Sequence, residues 1–217
     1  PDVDDSLINA AARHHRPETA LQWIIATADR VASGFERETF DRYNDAEEGA
    51  ATGGDHVSAR QLTLFEQIKL DGGHEDEAPL QQRYVLQPLS PQAIFPQPAK
   101  DCEPPKRERA QAKAQYRALW DQFTKALEAI PAAHQERLDL WLDHFDTLLA
   151  TFAHSIPAAT AFGVKPEVSL YDHSKAVAAL ATALWRWHQA RDDAPEAIVA
   201  APQQRTDWDE PKLLLIQ

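Results

Sequence analysis

Apolar residues recur at spacings of three and four along most of the chain, and this periodicity is typical of amphipathic helices. The second predicted helix has the clearest stripe, and Gly34 stands at its end as a helix stop. The pattern therefore predicts a mostly α protein. The predicted helices cover residues 1–15, 17–33, 106–131, 138–156 and 170–189.

The segments between the helices carry other patterns. Residues 36–60 are charged and aperiodic, which indicates a mobile excursion, while residues 61–70 fit either a short strand or a helical turn. Residues 84–89 read as a short strand and residues 94–96 as an apolar anchor, so a small β-hairpin is expected outside the helical core. Loops are predicted over residues 71–77, 158–168 and 192–210.

The proline-rich residues 96–105 are the best internal boundary, because prolines and a charge run interrupt the helical pattern there. We therefore expect an N-terminal part over residues 1–105 and a set of C-terminal helices over residues 106–210. The chain has no methionine, starts at Pro1 and ends on an apolar run with β character over residues 211–217. Both ends are expected to be cuts through a longer protein, with 211–217 starting a further domain.

Charge and cysteine content narrow the function. The net charge of −12 argues against a uniformly basic nucleic-acid-binding face, so contacts with phosphates would be local or mediated by a metal. The single cysteine, Cys102, excludes an internal disulfide and cysteine-rich zinc modules, which fits a reducing cytoplasm. No apolar run is long enough to cross a membrane and no signal peptide is visible, so a cytoplasmic protein is expected.

The candidate chemistry centres on residues 169–175, where Asp172 and His173 stand at the start of an apolar helix. A titratable pair on the first helical turn suits metal or phosphate chemistry, because the helix holds it rigidly at its positive end. The alternative is an aspartate N-cap followed by a core histidine. His188 lies at the other end of this helix and is expected to interact with the helix dipole.

Asp29 lies inside the apolar run of the second helix, where a carboxylate needs a cation, a metal or a hydrogen-bond donor. Pairing with a nearby arginine and binding a metal are both open from the residues alone. The nearby arginines are Arg13, Arg16 and Arg30.

Other histidines were considered as ligands. His14 and His15 are adjacent and point about 100° apart on a regular helix, so one could turn inward while the other binds a second ion or a phosphate. Three further histidines have no partner at ligand spacing and are expected at the surface or rim. These are His134, His144 and His154.

Several motifs together resemble the large subunit of type III CRISPR effector complexes, closest to its Csm-type (subtype III-A) branch. The resemblance follows the order of the chain and covers nearly all of it. The matching segments are Ala12-Arg13-His14-His15-Arg16-Pro17-Glu18, residues 24–37, Phe65-Glu66-Gln67-Ile68, residues 84–96, residues 156–160 and residues 168–175, with residues 212–217 similar to a first palm strand.

The resemblance implies an HD-superfamily helical bundle in permuted order, with a small β-hairpin insertion, followed by palm domains that produce cyclic oligoadenylate. It implies a metal-dependent phosphodiesterase that cuts single-stranded DNA, with Mn, Ni or Co as the divalent ion. His14 and His15 would supply a ligand or phosphate contact, Asp29 the closing aspartate ligand and His173 a further ligand. Asp172 would cap the helix or orient His173 from outside the metal's own ligands.

The chain departs from that pattern at one point. It contains no His-Asp dipeptide, the dyad that names the superfamily, so this chain alone is expected to be a weak or inactive nuclease. The alternative is a non-catalytic helical scaffold that couples the other complex subunits, and indirectly the crRNA and target RNA, to the palm domains. A nucleotide phosphohydrolase of the HD type is a third possibility that the sequence does not separate from the nuclease.

Overall fold

The computed structural model describes residues 7–36, 57–68, 80–105, 108–159 and 166–204. Within these ranges the chain is mostly helical, which confirms the mostly α prediction, whereas the HD-superfamily assignment stays a prediction. Of the excursion predicted over residues 36–60, residues 37–56 lie outside the described ranges, as do the loop at 71–77 and the terminal residues 1–6 and 205–217. The helices are α1 (Leu7–Ala12), α2 (Ala20–Glu36), α3 (Ala99–Cys102), α4 (Arg109–Glu128), α5 (Ala132–Gln135), α6 (Leu138–Ala153), α7 (Leu170–Arg191) and α8 (Pro195–Gln204).

A minimal two-stranded sheet is present, but both of its strands lie outside the segments that were predicted to form the hairpin. β1 (Gln82–Arg83) pairs antiparallel with β2 (Gln97–Pro98), and Leu62 adds an isolated bridge to Arg83. A 3-10 helix over Phe65–Gln67 follows that bridge.

The prediction of a strand over residues 84–89 is wrong. The backbone N–H of Tyr84 bonds to the carbonyl of Gln61, and that of Leu89 bonds to the carbonyl of Thr151. Between them the N–H of Gln87 bonds to the carbonyl of Val85 within the same segment. The segment therefore has no continuous ladder of hydrogen bonds with one neighbouring strand.

The predicted apolar anchor at residues 94–96 is also wrong. Ile94 is 47% exposed and Phe95 is 67% exposed, while the small Ala93 is fully buried. The N–H groups of Ala93 and Ile94 both bond to the carbonyl of Ser90, and this tight turn buries Ala93 and leaves the two larger side chains outside.

The chain divides into two compact units, each described by itself: Pro1–Glu38 with His173–Gln217, and Thr39–Asp172. The first unit has a core formed by α2, α7 and α8. Burial of apolar side chains in such a core stabilises the fold by roughly 25 cal/mol per Å² of apolar surface. The predicted domain division at residue 105 follows composition rather than contacts, and it stays a prediction. The buried members of this core are Ile24, Ala28, Ala32, Leu180, Leu184 and Ile198.

The helix α8 corrects the prediction of a polar loop over residues 192–210. Pro195 occupies its first position, where the fixed φ angle suits a helix and the missing N–H costs nothing. The N–H groups of Ala197 and Ile198 bond to the carbonyl of Ala194, and Ile198 is buried in the core. Its apolar residues 197–201 form one continuous run instead of a stripe at spacings of three and four, so the periodic signal was too weak to predict this helix.

The second unit carries the aromatic stripe predicted for α4 and α6. Phe123 meets Phe145 and Phe152 edge-on, with ring centroids 6.5 and 5.8 Å apart. Arg60 is fully buried beside this region, and its guanidinium donates to the carbonyls of Val57, Ser58 and Ala59 and to Gln115. Burial lowers the pKa of Arg60, because the charged form loses its hydration.

Cys102, the single cysteine, ends α3 and packs against the sheet. Its Sγ lies 3.5 Å from the carbonyl oxygen of Pro98 and 3.9 Å from those of Arg83 and Gln97. Burial raises the pKa of this thiol. Among the residues that the structure describes, none of the helices has both the length and the apolar character needed to span a membrane.

Candidate metal site at Asp29 and His173

The helix α2 places Asp29 and starts with a well-defined cap. The hydroxyl of Thr19 accepts the N–H of Gln22 at 3.4 Å, and the Gln22 side-chain oxygen accepts the N–H of Glu18 at 2.8 Å. This reciprocal pattern resembles a capping box and explains why the helix starts three residues after Pro17. Since Ala28 and Ala32 on either side of Asp29 are buried, the backbone that carries the carboxylate is fixed by packing.

The helix α7 places His173 and is capped in a related way. The hydroxyl of Ser169 accepts the N–H of Asp172 at 3.0 Å and donates to the Asp172 carboxylate at 2.6 Å. Ser169 is 1% exposed, so this cap is shielded from water. The expectation that Asp172 is the N-cap is wrong, because Ser169 caps the helix and Asp172 stands at the third helical position, where its carboxylate accepts the Ser169 hydroxyl. Its role in orienting His173 stays a prediction.

Asp29 and His173 meet directly although they are 144 positions apart. His173 Nε2 lies 3.1 Å from Asp29 Oδ1, and the side chains are 15% and 25% exposed. The partner that an aspartate in this apolar run requires is therefore an imidazole. Two of the three arginines named as possible partners interact with other side chains: Arg13 pairs with Glu18 at 2.7 Å and Arg30 lies over the Trp23 ring.

The spacing of the two atoms suits a shared ion. Ligands that each lie about 2.1 Å from an ion at an angle of about 95° are about 3.1 Å apart. Imidazole nitrogen and carboxylate oxygen are donors that Mn, Ni and Co accept. The same contact can equally act without an ion, because a carboxylate that accepts an N–H from imidazole fixes the orientation of the ring.

His14 and His15 lie just after α1. His14 Nδ1 donates to the carbonyl of Ala11 at 2.6 Å, which leaves Nε2 as its ligand nitrogen, and the two imidazole rings are 3.9 Å apart at 43°. His15 is exposed. These contacts stay within residues 11–15, so they do not join His14 or His15 to the Asp29–His173 pair, and their roles at an ion or a phosphate stay predictions.

The donor set for an ion is thus two residues in the described part of the chain. Across residues 7–36, 57–68, 80–105, 108–159 and 166–204, no three histidine, cysteine or acidic side chains come close enough to hold one ion together. A site of this kind needs at least three protein ligands to bind tightly. Asp29 and His173 fit a divalent transition metal as two of its ligands.

A second histidine contact is not predictable from the spacing of the residues. His134 Nδ1 lies 2.9 Å from His144 Nε2, so the prediction that these histidines lack a partner is wrong. The spacing of ten is not a helical one, because the pair forms across the turn between α5 and α6. His154 at the end of α6 donates from Nδ1 to Thr151 at 3.2 Å, and burial lowers the pKa of His154.

His188 lies in the last turn of α7, as expected for a residue that interacts with the helix dipole. His188 Nδ1 lies 2.9 Å from Asp193 Oδ2, and this hydrogen bond lowers the pKa of Asp193. The N–H of Asp193 bonds to the carbonyl of His188 and the N–H of Asp192 to that of Gln189, which is the Schellman pattern. The pair therefore closes the end of the helix.

Comparisons with protein families, with curated proteins and with solved structures found no match to this chain.

Proposed function

We propose that this chain is the HD-type domain of the large subunit of a type III CRISPR effector complex, acting as a metal-dependent nuclease on single-stranded DNA. The observation that supports it best is the contact between Asp29 and His173. The sequence predicts both residues as ligands of one ion, and the 3.1 Å between their donor atoms fits two ligands that share an ion.

The residues around the pair have distinct tasks in this proposal. A divalent ion of the Mn, Ni or Co class, when bound, lowers the pKa of water and neutralises a phosphodiester. His173 Nε2 and Asp29 Oδ1 hold it, and the Ser169–Asp172 cap keeps the first turn of α7 in place. The N-terminal end of α7 favours an anionic substrate, because its backbone N–H groups carry partial positive charge.

The test is cleavage of a fluorescent single-stranded oligonucleotide by the intact large subunit in Mn²⁺, Ni²⁺ or Co²⁺, after treatment with a chelator. We expect cleavage to require an added ion and to fall at least a hundredfold in Asp29→Asn and in His173→Gln. Asp192→Asn is the control, because it removes the same charge from an exposed position in the same unit. Full activity of the Asp29→Asn/His173→Gln variant would reject the proposal.

A second candidate is the non-catalytic scaffold that connects the subunits bound to crRNA and target RNA with the palm domains. The net charge of −12 and the absence of a His-Asp dipeptide favour it, and so does the exposure of Phe65 (69%) and Phe95 (67%) in the isolated chain. The scaffold predicts that Asp29→Asn leaves target-activated cyclic oligoadenylate synthesis and complex assembly unchanged and that no ion-dependent DNA cleavage occurs. The nuclease predicts loss of DNA cleavage alone.

A further inference from the structure

His134 and His144 form a pair of imidazoles that the proposed nuclease does not use. They belong to the second compact unit, whereas Asp29 and His173 belong to the first. His134 Nδ1 and His144 Nε2 are 2.9 Å apart, and the two ring planes are 20° from parallel. Neutral imidazoles at this distance must share one N–H, because one nitrogen donates and the other accepts.

We infer that this pair is a binding site for a late first-row divalent ion of the Ni²⁺, Cu²⁺ and Zn²⁺ class. Binding would move the shared proton to the other nitrogen of the ring that carries it, so that His134 Nδ1 and His144 Nε2 both bind an ion that lies to one side of the line between them. Imidazole is a favoured ligand of these ions, and their affinities follow the order Ni²⁺ below Cu²⁺ and Cu²⁺ above Zn²⁺.

The distance between the nitrogens is compatible with a shared ion. Two nitrogens about 2.05 Å from one ion are about 2.9 Å apart at a right angle and about 3.3 Å apart at a tetrahedral angle. The observed 2.9 Å is the length of the hydrogen bond between the rings, and it lies close enough to both values that a small rotation of the rings would admit an ion.

Helical structure fixes the backbone of both histidines. His144 lies in the middle of α6, a helix of 16 residues, and α5 packs against that helix. On α5 the N–H of His134 bonds to the carbonyl of Pro131, and the N–H of Arg137 bonds to the carbonyl of His134. Both histidines are half-buried, so solvent and ions reach them and water can fill the remaining coordination positions.

The experiment removes the other candidate site first. In the 217-residue chain carrying Asp29→Asn and His173→Gln, treated with a chelator, calorimetric titration with NiCl₂ should detect binding at the histidine pair. Adding His144→Gln, or His134→Gln, should lower that affinity at least tenfold. His154→Gln should leave it unchanged, because it removes a histidine of the same unit that is outside the pair.

Imidazole ¹⁵N chemical shifts provide the second readout. Ni²⁺ is paramagnetic, so Zn²⁺ at saturating concentration serves here, and it should shift His134 Nδ1 and His144 Nε2 while leaving the His154 nitrogens in place. Circular dichroism of each variant checks that it is folded, and His134→Gln, on a four-residue helix, covers the case in which His144→Gln unfolds the chain. Equal Ni²⁺ affinity with and without His144 would overturn the inference.

Discussion

The Nε2 atom of His173 lies 3.1 Å from Oδ1 of Asp29, and this contact joins the first turn of α7 to the middle of α2. Its two side chains are mostly shielded from solvent, so the contact is both a candidate ligand pair and a stabilising interaction. The second property can be measured without any substrate.

A double-mutant cycle with Asp29→Asn and His173→Gln should give a coupling free energy of about 1 kcal/mol in a buffer that contains a chelator, because one charge-assisted hydrogen bond is removed. Denaturant unfolding of the four proteins supplies the free energies. The matched cycle of Asp29→Asn with His15→Gln should give a coupling near zero, since the contacts of His15 are with His14. Equal coupling in the two cycles would contradict the geometry.

The cap of α7 gives a second prediction. Ser169→Ala should lower the free energy of unfolding by about 1 kcal/mol, because the N–H of Asp172 loses its acceptor in a buried setting. Thr182→Ala, which removes an exposed hydroxyl bonded to the carbonyl of Ala178 in the same helix, should change it far less. A similar loss in both variants would show that the hydroxyl of Ser169 is not a special cap.

Asp192 gives a prediction of increased stability. It follows α7 with a φ of 55°, in the left-handed region that a non-glycine residue enters at a cost. Asp192→Gly should raise the free energy of unfolding by about 0.5 kcal/mol, and Asp192→Val should lower it by more than 1 kcal/mol. Thermal unfolding of the two variants measures both, and a stabilising valine would exclude this backbone conformation.

His154 should make stability depend on pH. Burial holds the pKa of folded His154 below that of the unfolded chain, so as the pH falls through the unfolded value the unfolded state takes up a proton first. The contribution of His154 to folding is therefore lost as the pH falls from about 7.5 to about 5. Unfolding free energies of the wild type and of His154→Gln over this range should converge toward low pH, and parallel curves would contradict the shift.

The sequence predicted the elements whose apolar stripes are long. The helix predicted over residues 170–189 is α7, Leu170–Arg191. The one predicted over 17–33 is α2, Ala20–Glu36, which starts later because Thr19 provides the cap. The prediction that Gly34 ends this helix is wrong, because α2 continues through it. The sequence also predicted that Asp29 needs a partner, since an aspartate in an apolar stripe cannot remain alone. Choosing His173 over a nearby arginine required the packing of two distant helices.

The contact between His134 and His144 could not be predicted from the periodicity of the sequence. His134 and His144 are ten positions apart, and their contact depends on the path of the turn after α5, which no periodicity encodes. The helix α8 was missed for a related reason, because a ten-residue helix held by one buried isoleucine gives little periodic signal. Contacts that depend on the geometry of a loop therefore cannot be predicted from the spacing of apolar residues.

Cys102 gives the chain a built-in reporter. As the single thiol, packed under the β1–β2 pair and held protonated by burial, it can react with a thiol reagent only when that part of the molecule opens. The labelling rate of the unmodified protein then measures how often the small sheet comes apart under native conditions. No cysteine has to be introduced by mutation, so the same labelling rate can be measured in every variant.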